Sequence, residues 1–208
     1  MSQQTPNLSP KELRQQIRSG EYQGNTSGCC AGYVQCNMVI LPSDWAPDFL
    51  KFCQDNPKPC PLIAVSEPGE FAISKLGEDI DIRTDIPSYR VFEQGKLIAE
   101  VTDITDLWRD DLVVFLLGCS FSFEEALVAE GLDVRNISEG VNVPMYRTNI
   151  DCTPAGPFAG KMVVSMRPFA PEEALKAVEI TGRYPSVHGE PIHYASSHVA
   201  AVVPAREL

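Results

Sequence analysis

An apolar run, Leu112 to Leu117, meets Gly118-Cys119-Ser120 and passes straight into Phe121-Ser122-Phe123-Glu124-Glu125-Ala126-Leu127. The run is rich in β-formers and suits a fully buried strand, although so short a run is also compatible with a buried helix segment. The junction limits the fold more than any other stretch, because a buried element has to turn at the glycine and continue as an amphipathic helix. Ser122 with Glu125 three positions on reads as a capping box, in which the serine oxygen accepts a free backbone N–H and the glutamate reaches back to the serine's own N–H. Cys119 and Ser120 are not needed by such a cap. They stand where N–H groups at a helix start can hold an anion or lower a thiol pKa. Buried free cysteines are common, so a structural and a chemical reading of this turn both stand.

With 208 residues the chain can bury a substantial core as one large or two modest domains. A net charge of −11 argues against nucleic-acid and anionic-membrane partners. No apolar stretch reaches the roughly 20 residues of a membrane span. The opening MSQQTPNLSPKELRQQ lacks the apolar core of a signal peptide, so the expected compartment is the cytoplasm, or the mitochondrial matrix for a eukaryotic source. Seven cysteines include no C-x-x-C pair and three histidines gather near the end, a spacing that favours reduced thiols over a disulfide framework or structural zinc.

Helical and strand-like segments alternate, which gives an α/β or α+β class. SPKELRQQIRSG carries Ser9 as cap, Pro10 in the first turn, Glu12 to complete a box and Gly20 as a stop. YVQCNMVIL reads as a strand on which Tyr33, Gln35 and Asn37 share one face, either solvated or lining a pocket. DWAPDFLKFCQDN reads as helix and PCPLIAVS as strand. From Glu67 the segments shorten, and RVFEQGKLIAEV reads as a hairpin turning near Gln94-Gly95. Residues 67–111 therefore read as a small α+β insertion, with 1–66 and 112–208 as the main domain. NVPMYRTNI and GKMVVSMRP read as strands, and PEEALKAVEITGRYP as a helix entered through Pro171.

Polar groups recur on the strands. Arg147 and Asn149 share a face, as do Ser165 and Arg167. An arginine within an apolar strand needs a partner, either a ligand carboxylate gripped by its planar fork or an internal Asp or Glu. DIRTDIPSYR brings Arg83, Asp85, Tyr89 and Arg90 together, where an Asp–Arg pair would fix the entry to the hairpin. His188 and His193 lie in HGEPIHY, whose prolines exclude a helix, and either could carry a proton near neutral pH.

Taken in order, GNTSG, GYVQCNMVILP, DFLKFCQDNPKPCPL, DIRTDIPSYRVFEQGKL, DDLVVFLLGCSFSFEEAL, NVPMYRTNI, PAGPFAGKMVVSMRP and HGEPIHY resemble the D-glutamate cyclase family, over roughly residues 10 to 194. The resemblance implies a three-layer α/β main domain with a smaller α+β domain inserted. It also implies a hydro-lyase that converts D-glutamate to 5-oxo-D-proline and water, or acts on a related small carboxylic acid. Two departures stand out: Ala31 replaces a usual proline, and family members continue beyond the histidine-containing segment, so the end of the main domain is expected to be missing. A non-catalytic small-carboxylate binder and an inactive truncated product are the alternatives.

On family-matched positions, Arg147 with Asn149 is the expected carboxylate seat, with Arg90 second and Tyr146 and Arg167 as further substrate contacts. The Gly118-Cys119-Ser120 turn would offer N–H groups to an oxyanion, and His188 or His193 would move the proton. No metal ligand set is legible, although a divalent ion could assist at the carboxylate. Homo-oligomer formation is compatible with the reading. A thiol titration of the denatured, unreduced protein is expected to find all seven cysteines; two or more blocked thiols, or stoichiometric zinc, would overturn the reading of their spacing.

Overall fold

The computed structural model describes residues 8–194 and 203–204, a mixed α/β arrangement of short helices around three small sheets. Helix α1, Pro10–Arg18, opens on the expected box: Ser9 Oγ accepts from Glu12 N–H at 3.3 Å, and Ser9 N–H donates to Glu12 Oε2 at 2.9 Å. It ends at Ser19, followed by Gly20 at φ +77°. The other face of α1 carries Arg14 and Arg18, which converge on Asp85, a carboxylate only 5% exposed. Asp85 also accepts from Asp81 N–H, so one buried acid joins α1 to the segment after residue 80.

The principal sheet sets β5 (Leu112–Gly118) between β1 (Cys36–Pro42) and β2 (Leu62–Val65), antiparallel to both. The apolar run at 112–117 is therefore a strand. Its period-two alternation divides the core. Val113 and Phe115 pack with Val39 and Leu41 of β1 against Phe49 and Cys53 of helix α2 (Ala46–Asp55). Val114 packs on the opposite face with Met38, Ile40, Ile73 and Ile82. The sheet is thus covered on one side by α2 and on the other by the chain between β2 and β5. That excursion turns back as the hairpin β3 (Tyr89–Glu93) and β4 (Lys96–Val101), with positive φ at Gln94 and Gly95 as a two-residue turn of this hand requires. Asp81 grips Arg83 through two bonds, Tyr89 donates to the Ile82 carbonyl, and Arg90 pairs with Glu100 across the hairpin.

Beyond β5, residues 120–123 form a turn of 3-10 helix, followed by α3 (Glu124–Ala129) and α4 (Arg135–Ser138). Strands β6 (Met145–Asp151) and β7 (Lys161–Ser165) pair antiparallel, and β8 (Val203–Pro204) lies on the other side of β6. Helix α5, Pro171–Gly182, buries Ala177 and Ile180 against Phe123, Leu127, Leu132 and Val134. Asn56 fastens α2 to the far end of β6: its amide donates to Phe52 and Thr153 carbonyls and accepts from Thr153 N–H, each at 2.8 Å.

Two local expectations are corrected. Ser122 is not a helix cap; it lies inside the 3-10 turn, and its hydroxyl accepts from Gln35 N–H at 2.9 Å, tying the start of β1 to this turn. Glu125 accepts instead from Gly32 N–H at 2.7 Å, and Phe123 precedes α3 without a side-chain cap. The tertiary bond to Gln35 satisfies a strand-edge donor that a local cap would leave open. Strand β1 begins at Cys36, so Tyr33 lies before it and cannot share a strand face with Asn37.

Gly118 is required by close approach. A Cβ there would clash with the Ser186 carbonyl oxygen and stand 2.9 Å from Val187 Cγ1 and 3.0 Å from Val187 Cα. Gly118→Ala is expected to destabilise the protein by about 1–3 kcal/mol through overpacking against backbone, read as a lower urea midpoint with an unchanged slope. An unchanged midpoint would show that the 185–187 turn yields freely.

Candidate functional site

At the end of β5 the chain carries Cys119 and Ser120 into a cluster with Glu124, Arg167 and His188. Arg167 follows β7, and its side chain is 9% exposed while that of Glu124 is 4% exposed. The guanidinium donates to Glu124 Oε1 from Nε at 2.9 Å and from Nη2 at 2.5 Å, to Ser165 Oγ at 3.0 Å and to Ser120 Oγ at 3.1 Å. Asn136 of α4 donates to the same Glu124 oxygen at 3.2 Å, and the Phe123 ring lies 5.2 Å from the guanidinium carbon. Four of the five N–H groups of a guanidinium are thereby used inside the fold. This is the internal-acid outcome weighed for an arginine in an apolar strand. Ser120 accepts from a cation, so its own hydroxyl proton is free to be donated and is polarised by the charge behind it.

His188 sits at φ +82° on a 3-10 turn, Pro185–Val187, pressed against Gly118. Its Nδ1 is 2.9 Å from the Lys58 carbonyl. A carbonyl can only accept, so Nδ1 carries the proton and Nε2 holds the lone pair of the neutral ring. Burial pushes the His188 pKa below its usual 6.5; the carbonyls of Lys58 and Gly118 pull the other way, and the charges of Lys58 and Arg167 add to the depression. The ring is thus neutral at physiological pH.

Burial pushes the Cys119 thiol up, opposed by the Phe121 N–H, the Arg167 charge and a contact with Asn37. The group is therefore a neutral thiol, unlike the thiolate of an activated nucleophile. The backbone N–H of Gly118 donates to Pro61 O at 2.8 Å and that of Cys119 to Gln35 O at 3.0 Å. Both are spent on the sheet, which narrows the oxyanion donors expected at this turn to Ser120.

The remaining sequence candidates are placed elsewhere. Arg147 on β6 pairs with Val163 and Val203; its side chain is exposed and makes no hydrogen bond or ion pair among the described residues. Asn149 is exposed, and its carbonyl accepts from Lys161. Tyr146 is half-buried opposite Val164, and Arg90 is committed to Glu100 on the exposed hairpin. His193 is exposed in the segment after His188, and His198 lies outside the described residues.

Glu124 was not singled out from the sequence, although a signal existed. It stands three residues before Leu127, on the buried side of an amphipathic helix, where a carboxylate needs a cationic partner. Among the described residues no group of three or more His, Cys, Asp or Glu is placed to hold a metal ion, and no helix is long and apolar enough to cross a membrane. All seven cysteines are free.

Comparison with known proteins places the chain in a family. The family model for D-glutamate cyclase matches residues 113–203, the stretch that holds Cys119, Glu124, Arg167 and His188. A protein of Rhizobium johnstonii named "Putative hydro-lyase" is 61% identical over 184 residues, covering 88% of this chain and 68% of that protein. A Bordetella petrii protein, likewise named as a hydro-lyase, is 59% identical, covering 86% of this chain and 68% of its own length. One from Bradyrhizobium diazoefficiens is 55% identical over 200 residues, or 96% of this chain and 73% of the relative. Identity this high, over most of both chains, means that the chain belongs to the D-glutamate cyclase family, alongside bacterial proteins named as hydro-lyases.

Proposed function

We propose that the protein is a hydro-lyase acting on a small amino-acid carboxylate, with conversion of D-glutamate to 5-oxo-D-proline and water as the reaction the site fits best. The observation that carries this reading is the charge-backed Ser120 hydroxyl at the end of β5, with His188, a neutral ring, following the turn that packs on Gly118 of the same strand end. In that reaction the substrate's amine attacks its own side-chain carboxyl carbon. The nucleophile is tethered, so little entropy is lost on reaching the attacking geometry. What remains is to remove a proton from the ammonium, to stabilise the oxyanion, and to protonate the departing oxygen.

The neutral ring of His188 takes one ammonium proton at Nε2 while Nδ1–H stays on the Lys58 carbonyl. The C–N bond forms, and negative charge develops on the carboxyl oxygens, where Ser120 donates its proton as a hydrogen bond with Arg167 behind it. The C–O bond then breaks. The oxygen leaves as water, carrying the proton returned from His188 and a second one from the nitrogen, so the ring ends as it began. A protonated Cys119 borders this space as a neutral thiol and needs to form no covalent intermediate.

Incubating the purified protein with D-glutamate is expected to yield 5-oxoproline, detected by mass spectrometry as loss of 18 mass units. Binding without product would reduce the reading to a carboxylate-binding protein. Ser120→Ala should lower kcat by about 100-fold, as removal of one oxyanion donor does elsewhere, with little change in KM; an unchanged kcat would remove Ser120 from the reaction.

His188 also sets a pH dependence. Its folded pKa is depressed below the unfolded value of 6.5, so the unfolded chain binds the proton more readily. The resulting stability is fully present above about pH 6.5 and is lost as pH falls through the folded pKa. Below about pH 6.5 the melting temperature should therefore drop more steeply than in His188→Gln, whose amide can still donate to the Lys58 carbonyl. Parallel profiles would place the ring in a more solvated setting than this one.

A further inference from the structure

The proposed reaction leaves one charge of the substrate without a partner. D-Glutamate keeps its α-carboxylate throughout, and the cluster at the end of β5 has already neutralised its arginine: Arg167 is paired with Glu124, and four of its five N–H groups are taken. Among the described residues, the unpaired cation whose charge acts on His188 is Lys58.

Lys58 stands in the turn after α2, closed by Cys60 N–H donating to Asn56 O at 3.0 Å. The same residue whose carbonyl holds the His188 ring directs its ammonium toward the turn that carries that ring. A Cβ on Gly189 would stand 3.7 Å from Lys58 Nζ and 3.2 Å from Pro185 Cα, and Gly189 is buried at φ +64°. The Lys58 charge also acts on His188 itself. Lys51, Lys161 and Lys176 are exposed and each pairs with a carboxylate. Lys58 is half-buried, and among the described residues its ammonium makes no hydrogen bond or ion pair. An ammonium on a partly buried stem, without a counter-charge of its own, is available to pair with an anion. With Arg167 and Glu124 cancelling and His188 neutral, this group of residues carries one net positive charge.

We infer that Lys58 binds the non-reacting carboxylate of the substrate, so that a dicarboxylic ligand spans from the Lys58 ammonium to the Ser120 hydroxyl. The inference rests on the site proposed above and gives it a substrate class: a short acid with two carboxyl groups, one held by charge and one presented to Ser120.

Glutarate serves as an unreactive probe. Titrated calorimetrically into the 208-residue protein, it is expected to bind, and its addition should shift the NMR signals of the His188 ring. Lys58→Met should weaken glutarate at least about tenfold, while Lys58→Arg should keep most of the affinity, because a fork of donors replaces the ammonium. Glutarate binding to Lys58→Met within twofold of the unaltered protein would overturn the inference. So would an unshifted His188 ring in the unaltered protein, a result that needs no variant to fold. The readings are separable: lysine-dependent glutarate binding without cyclisation of D-glutamate would leave this inference standing and remove the reaction. Cyclisation with lysine-independent binding would do the reverse.

Discussion

The pair between Glu124 and Arg167 is the constraint on which the rest of this structure turns. Neither side chain reaches a tenth exposed, so the ions have given up most of their hydration and depend on one another. Removing either partner from such a pair strands a buried charge, at a cost of about 3–5 kcal/mol. The pair also connects parts of the chain that would otherwise meet only through apolar contact. Glu124 begins α3, Arg167 follows β7, Asn136 lies on α4 and Ser120 stands at the end of β5. One carboxylate oxygen accepts three N–H groups, two from Arg167 and one from Asn136, so the direction of the guanidinium is fixed before any ligand arrives. The orientation of the Ser120 hydroxyl follows from it.

Around that pair, packing does the remaining positioning. Gly118 permits the 185–187 turn to lie directly on the strand end, and His188 follows that turn with its ring held on the Lys58 carbonyl. The same burial that fixes these groups sets their protonation. It keeps Cys119 a thiol and His188 neutral, so the site has a neutral base and neutral donors backed by a compensated cation. This suits transfer of protons onto and off a carboxyl group better than attack by a thiolate.

Much of the fold was legible in the sequence because local signals agreed with the tertiary outcome. The Ser9-Glu12 box, the β5 run and the Gln94-Gly95 turn are specified by residues within a few positions of one another. The Ser122-Glu125 pattern matched a local motif equally well and failed, because Gln35, far away in the chain, competes for the serine oxygen. Site residues divide in the same way. Cys119, Ser120, Arg167 and His188 were legible as polar groups at strand ends and turns. Glu124 was hidden by its neighbour Glu125, which completes the more familiar spacing. Lys58 carries no motif at all, and its place beside His188 exists only once two distant turns have met. Arg147 looked like the stronger arginine in the sequence, yet Arg167 is the one brought to Ser120, since strand periodicity gives a face without saying what covers it.

The central claim is that the end of β5 receives a carboxylate. The most direct test is a crystal structure of the protein with glutarate bound. The account predicts one carboxylate within hydrogen-bond distance of Ser120 Oγ and the other at Lys58 Nζ, with the Glu124–Arg167 pair unbroken. Glutarate lodged instead against Arg147 on β6, with Ser120 and His188 untouched, would contradict it.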